Sequence, residues 1–385
     1  MALDNDLPLP RHFQLREAIV RDVLKNGMSS GDALPPEREL AVNHNVSRIT
    51  VRRAISDLVA EGFLRRQGRR GTFIDDVSCV TNRVLDSDRK LLGVLFSRIQ
   101  TSFTGRLLHG MSEQAHAHGY NIVFGGTNED PDKTAEQIDR MAEDVGGFIM
   151  VPIAGEDAAA HNDRLLHHMD ARGIPFVLLD RYAPGWVVDT VVSDNFDGAY
   201  RATEHLVALG HRKIGFVGYL TCSAVEERIS GYEKCLRDHG IFPDEALVTR
   251  PHPDHLKDTV QDLLKKQPSL TALFAVNDAR AMLVWECLRE LGLRVPDDIA
   301  LVGYDNMYES QGPGALLTTT DQPLEEEGRL ACKMLVERVC GFAGEPRLEI
   351  VKSSLIVGQS TTGHELQWAE GTPATNKPSP SEAAG

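Results

Sequence analysis

Aromatic residues are scarce in this chain, 6% of 385 positions, and cysteine is scarcer still. The six cysteines, Cys79, Cys222, Cys235, Cys287, Cys332 and Cys340, include no Cys-x-x-Cys pair. A chain of this length needs no disulfide framework, so they read as reduced thiols of a cytoplasmic protein. The opening MALDNDLPLPRHFQ lacks the apolar core of a signal peptide, which argues against export. No run approaches the ~20 apolar residues of a membrane span. Also missing are a GxxxxGK loop and a strand-flanked GxGxxG, which leaves nucleotide chemistry without support. There is no Ser/His/Asp arrangement, no carboxylate pair at motif spacing and no metal-ligand cluster, so neither an enzyme nor a cofactor or metal is expected.

Positive charge is short overall, with a net of -15, but the shortage is local. Residues 1–74 carry 12 Lys/Arg against 9 Asp/Glu, a net of +3, and the remainder a net of -18. A basic head on an acidic body fits a DNA-binding module carried by a body that stays off DNA.

The head is compact. In residues 34–74 Pro36 suits the first turn of a helix, and Ser47 is a good N-cap for the next one. Val51, Ala54, Ile55, Leu58 and Val59 then recur at i, i+3, i+4, i+7 and i+8, a buried stripe. Arg48 and Arg52, spaced i, i+4 with Thr50 and Arg53 flanking them, fall on the opposite side near the helix start, the part of a recognition helix that enters the major groove. Arginine grips guanine O6 and N7 with two bonds. FLRRQ and GTFI read as two short strands around a Gly68–Gly71 turn, with Arg69 and Arg70 at a tip suited to phosphate or the minor groove. A lone arginine is more often a solvated charge. Eight Lys/Arg against four Asp/Glu in residues 36–74 favour DNA, while Arg53 and Arg65 keep the plain surface reading.

LPPEREL, VSRITVRRAISDLVAEGFL and RRQGRRGTF resemble the GntR family of winged helix-turn-helix bacterial repressors across residues 11–74. The resemblance implies DNA contacts from Arg38, Arg48, Thr50 and Arg52 on the helices and from Gln67, Gly68 and Arg69 in the wing. Ile49 departs from the pattern, standing where the family often has a hydroxyl residue.

Residues 75–90 are polar and without period, hence a linker, and the tail 363–385 is rich in small and polar residues, hence disordered. Between them, continuous apolar runs at 91–96, 120–125, 146–151, 175–180, 213–218, 271–276 and 299–304 read as strands buried on both faces. Amphipathic helices such as 197–209 and 278–291, each followed by glycine, alternate with them. The expected fold class is α/β: parallel sheets with right-handed crossovers behind a winged helix-turn-helix, binding ligand at the carboxyl ends of the strands.

LLGVLFS, VVSDNFDGAYRATEHLVALGHRKIGFVG, ERISGY, AVNDARAMLVWECLRELGLRVPDDIALVGYDN and LLTTTDQPLEEEGRLACKMLVERV resemble the LacI/GalR sensor domain, which is similar to periplasmic sugar-binding proteins, over 91–362. That implies two α/β subdomains about a cleft, with crossings near 181–192, near 305–318 and in a short return by the last strands. The effector would meet Ser97, Arg228, Asn277 and Asp305, with Phe103, Tyr182 and Trp186 as candidate stacking rings. An Asn or Asp after a strand is as readily a helix cap, Asp278 being the candidate, and Trp285 reads as core. A GntR head on a LacI body is similar to the arabinose-repressor type. The expectation is a homodimeric repressor on pseudo-palindromic operator DNA, released by a sugar. The other reading is a corepressor-dependent regulator sensing a nucleobase or another small metabolite, the nucleobase disfavoured by the low aromatic content.

Overall fold

The computed structural model describes residues 11–76, 91–97, 102–307 and 316–362. Most of the expected linker, the expected tail and Cys79 lie outside these residues.

The head consists of helices α1 (Arg11–Lys25), α2 (Glu37–Asn43) and α3 (Arg48–Ala60), followed by an antiparallel pair, β1 (Leu64–Arg66) and β2 (Thr72–Ile74). Pro36 stands just before α2, and the Ser47 hydroxyl accepts the Thr50 N–H at 3.1 Å at the start of α3. That removes one orphan donor of the first turn. Val51, Ala54, Ile55 and Leu58 are buried against Leu15, Ile19, Phe63 and Ile74, while Val59 lies at the margin of this core. Burying each of Val51, Ile55 and Leu58 is worth about 1.5–3 kcal/mol, which makes the apolar stripe a main source of stability in this small unit. The wing reverses through a short 3-10 turn, Gly68–Arg70. Gly71 closes it at φ 116, a conformation that a side chain would strain.

The body has two six-stranded sheets. The first contains β3 (Leu91–Phe96), β4 (Asn121–Gly126), β5 (Phe148–Met150), β6 (Phe176–Leu179), β7 (Thr190–Ser193) and β13 (Leu348–Val351), in the order β13-β7-β6-β5-β3-β4. The second contains β8 (Ile214–Val217), β9 (Val248–Thr249), β10 (Ala272–Ala275), β11 (Ala300–Tyr304), β12 (Thr318–Asp321) and β14 (Ser354–Ile356), in the order β14-β12-β11-β10-β8-β9. Only β14 runs antiparallel to its neighbour. Helices α4 (Ser102–Ala117), α5 (Pro131–Met141) and α6 (Ala158–Ala171) belong to the first half. Helices α7 (Asn195–Ala208), α8 (Ser223–Asp238), α9 (Leu256–Lys266) and α10 (Asp278–Glu290) belong to the second. Helix α11 (Leu324–Val339) returns to the first half, packing on α4, β6 and β7.

All seven apolar runs form strands at their expected places. Two of the expected crossings move. The first lies at Asp194, between β7 and α7, because 190–193 is a strand of the first sheet. The second lies at 322–323, between β12 and α11, not at 305–318. TVVS and TTTD are short and hydroxyl-rich, so they escape a search for aliphatic runs, although β-branched residues suit buried strands. The third crossing is the short return, 352–353, between β13 and β14. Where α4 meets α11, a Cβ on Gly328 would stand 2.2 Å from the Leu107 carbonyl oxygen, so this crossing admits only glycine there.

The head rests on the first half. Arg16 of α1 is buried, and its Nη1 and Nη2 donate to the Gly341 and Cys340 carbonyls at 2.9 and 3.0 Å, just past the end of α11. Nη1 also donates to Glu61 at 2.7 Å, and the ring of Phe13 lies 5.6 Å from that of Phe342.

Candidate functional sites: a basic head surface and a two-sided cleft

On the head, Arg38 and Arg48 are exposed and make no hydrogen bond or ion pair among the described residues. Arg52 Nε donates to Glu37 at 3.1 Å, and Arg66 stands 3.7 Å from the same carboxylate, so Glu37 ties α2, α3 and the wing together. The hydroxyls of Thr50 and Ser47 are 2.8 Å apart. Gln67 is half-buried at the base of the wing turn and Gly68 is exposed within it; the side chain of Arg69 lies outside the described part. Ile49 is 78% exposed beside Arg48, an apolar surface at the start of the helix where the resembled family often has a hydroxyl.

In the body, a cleft opens between the carboxyl ends of the two sheets. Phe96, Ser97, Phe103, Asp180 and Arg181 line it from the first half, and Tyr219, Arg228, Asn277, Arg280 and Asp305 from the second. All four polar residues expected at an effector site, Ser97, Arg228, Asn277 and Asp305, are therefore brought together. Of the three candidate rings, only Phe103 reaches the cleft. Trp186 packs against Phe176 and His167 and donates to Asp163 at 3.0 Å, and Tyr182 is 36% exposed outside the lining. Phe96 and Tyr219 take their place, so rings face the cleft from both halves. A low aromatic fraction is an average over the chain and carries no information on where the rings sit. Trp285 is buried in the core of the second half.

Two charge networks frame the cleft, one around Arg228 and one around Arg181. Arg228 is 5% exposed; its Nε donates to Asn195 at 2.8 Å and its Nη1 to the Val276 carbonyl at 2.7 Å. Its Nη2 stands 3.2 Å from Asp305, and the guanidinium lies 3.7 Å from the centre of the Tyr304 ring. Asp305 also accepts from Gln322 at 2.6 Å. Burial pushes this carboxyl up to about 6 despite the pull of Arg228 in the other direction. Across the cleft, Arg181 Nη1 donates to Glu129 at 3.1 Å and to the Pro152 carbonyl at 2.9 Å, and its Nε lies 3.3 Å from Asp180. Asp180 and Asp305 end the facing strands β6 and β11 at φ 66 and 97. Such backbone costs about 1–3 kcal/mol at a non-glycine residue and gathers where a ligand is gripped. The N-cap of α10 is Asn277, accepting the Arg280 N–H at 2.8 Å, and not Asp278, the cap candidate of the sequence. Asp278 turns away into the fold, accepting from Thr319 at 2.6 Å and from the Met307 N–H at 2.8 Å, and burial pushes it up to about 8.

Sequence reasoning passed over Asp180, Arg181 and Arg280. The first ends the run PFVLLD, where the rule of carboxyl strand ends would have found it. Arg280 is legible only as a cation in the first turn of a helix, where the helix dipole disfavours positive charge.

A three-helix head with a two-stranded wing, joined to two hinged parallel α/β lobes around a cleft, defines a two-part bacterial transcription regulator. Residues 13–74 match the family model for bacterial regulatory proteins of the gntR family, and residues 203–361 match the periplasmic binding protein-like domain. The chain thus joins a GntR-type head to a LacI/GalR-type body. It is 27% identical over 368 residues to the arabinose metabolism transcriptional repressor of Geobacillus stearothermophilus, an alignment covering 92% of this chain and 98% of that one. It is 29% identical over 266 residues to the HTH-type transcriptional repressor PurR of Haemophilus influenzae (strain PittEE), covering 68% and 77%. A LacI family regulator from Enterococcus faecium, solved with bound ribose, superposes with a TM-score of 0.58 at 27% identity, covering 71% of this chain and 98% of that one. No described helix is long and apolar enough to cross a membrane.

Proposed function

We propose that the protein is a cytoplasmic repressor of carbohydrate-utilisation genes that leaves its operator when a sugar fills the cleft. Residues 11–74 serve as the DNA-binding domain and 91–362 as the effector-binding domain, without catalysis of their own. Arg48, Thr50 and Arg52 read the major groove, Arg38 and the wing residues Gln67, Gly68 and Arg69 hold the backbone, and Ser97, Arg228, Asn277 and Asp305 line the effector site. The observation that carries the reading is that the cleft is lined from both halves while the head is seated on one. A ligand that draws the halves together turns the head-bearing half against the other, and in a homodimer this changes the spacing of two heads on a two-fold operator. Such a switch requires different effector affinities in the two states, with a coupling of about 1–3 kcal/mol typical. The repressor named for arabinose metabolism and the ribose-bound neighbour support a sugar.

The rings of Phe96, Phe103 and Tyr219, facing the cleft from both halves, favour a second reading in which a nucleobase acts as corepressor. Fluorescence anisotropy on a labelled operator separates the two. Release by a pentose, hexose or disaccharide supports the first. Tightening by a nucleobase, with no sugar effect, replaces it with the second.

A further inference from the structure

The charges of the cleft do not all close. Arg228 is matched by Asp305, and Arg181 is shared by Glu129 and Asp180. Among the described residues, Arg280 has no such partner. It lines the cleft, is 1% exposed, and none of its three side-chain nitrogens makes a hydrogen bond to a described residue. It packs against a ring, with the guanidinium 4.6 Å from the centre of Tyr219. The groups bearing on its charge are Tyr219 and Cys287, neither of them a carboxylate, and burial lowers its affinity for a proton to a value of about 10. That still leaves it charged at neutral pH. Its place in the first turn of α10 adds the positive end of a helix to a charge that already has no counter-ion.

A guanidinium presents five donors and no acceptor, and it stays protonated in proteins. Burying it unmatched is strongly unfavourable, and a chain that keeps it forgoes stability that methionine or leucine would supply. A neutral sugar hydroxyl would satisfy a donor without cancelling the charge. A carboxylate or phosphate does both, in the forked geometry that arginine favours.

We propose that the effector carries an anionic group, a carboxylate or a phosphate on a hydroxylated skeleton, and that this group pairs with Arg280. The inference rests on the cleft being the effector site. It narrows the effector from sugars at large to sugar acids and sugar phosphates.

The test uses the full chain and two matched sets, arabinose with arabinonate and arabinose 5-phosphate, and glucose with gluconate and glucose 6-phosphate. Binding is read by calorimetry and thermal shift, for the wild type and for Arg280→Met and Arg280→Lys. The expected result is that one acid or phosphate binds at least about 30-fold more tightly than its neutral parent. The preferred member tells carboxylate from phosphate. Arg280→Met removes the preference, while Arg280→Lys, which keeps the charge without the fork, retains part of it. Without ligand, Arg280→Met melts at a higher temperature than the wild type. A neutral parent that binds as tightly as its charged derivatives overturns the inference and leaves the sensor reading intact. A fall in the ligand-free melting temperature of Arg280→Met also overturns it, since the arginine would then be an ordinary packed residue. If no member of either set binds, the sugar-sensor reading falls with it.

Discussion

The head and the cleft use the same side chain in opposite ways. On the head, Arg38 and Arg48 stand exposed and unmatched, which costs nothing in water and leaves them available to a polyanion. In the cleft, Arg228 is sealed from solvent and its guanidinium is engaged by Asn195, a carbonyl, Asp305 and a ring. Under the proposed function, the first arrangement holds DNA through charge that salt screens; the second holds its geometry through a network that salt barely reaches. An arginine therefore announces a binding surface on the head by its lack of partners in the open, and frames a site in the body by its partners in the dark.

The comparison breaks most sharply at Arg228. Its replacement by Ala leaves Asp305 buried without its cation, and a loss of about 3–5 kcal/mol in folding stability is expected from denaturant unfolding. Arg48→Ala should leave that midpoint where it is. Next in size is the pH response of the buried carboxyls. Glu327 is fully buried, accepts from Ser193 and is pushed up to about 8, as is Asp278, while Asp305 reaches about 6. In each case the folded-state value lies above the unfolded one. Stability from these groups is thus greatest in acid, declines as pH rises from about 4 toward 8, and levels off above that. Glu327→Gln should flatten the decline, with little change in melting temperature at pH 5 and a gain at pH 8. A variant as pH-sensitive as the wild type would remove Glu327 from the account.

Smaller effects belong to the head. Arg48→Ala should weaken operator binding by about 1–3 kcal/mol and relax sequence preference, whereas Arg38→Ala should lower affinity evenly and reduce the salt slope by about 1. Anisotropy titrations on matched and scrambled operators at several salt concentrations distinguish the two, and equal loss on both DNAs for Arg48→Ala would make it a phosphate contact. Smallest is Ser47→Ala, which removes the cap of α3 and should lower the stability of the head by about 1 kcal/mol, with no change in effector affinity.

Much of this was readable from the chain because it rests on period and punctuation. The stripe from Val51 to Leu58, the Ser47 cap and the seven aliphatic strands follow from local chemistry that tertiary packing merely uses. The hinge was misread because its flanking strands, TVVS and TTTD, carry hydroxyls where the other runs carry aliphatic side chains. Ser97, Arg228, Asn277 and Asp305 were placed by motif and by the rule of strand ends, and the cleft does assemble them. The partners of Arg228 lie 33, 48 and 77 positions away in the chain, and no local pattern encodes them. The isolation of Arg280 is harder still to foresee, being a property of everything that does not surround it.

The seam between head and body has an evolutionary consequence. Arg16 reaches across to two main-chain carbonyls, those of Cys340 and Gly341, and a Cβ at position 341 would stand 1.8 Å from its Nη2. On the body side, the bond thus asks for little beyond a backbone bend after a helix and a residue without a side chain. A joint that reads main chain tolerates drift in the residues around it. Heads and bodies of different ancestry can be shuffled across such a joint by recombination, with Arg16, Gly341 and the Phe13–Phe342 ring contact as its fittings.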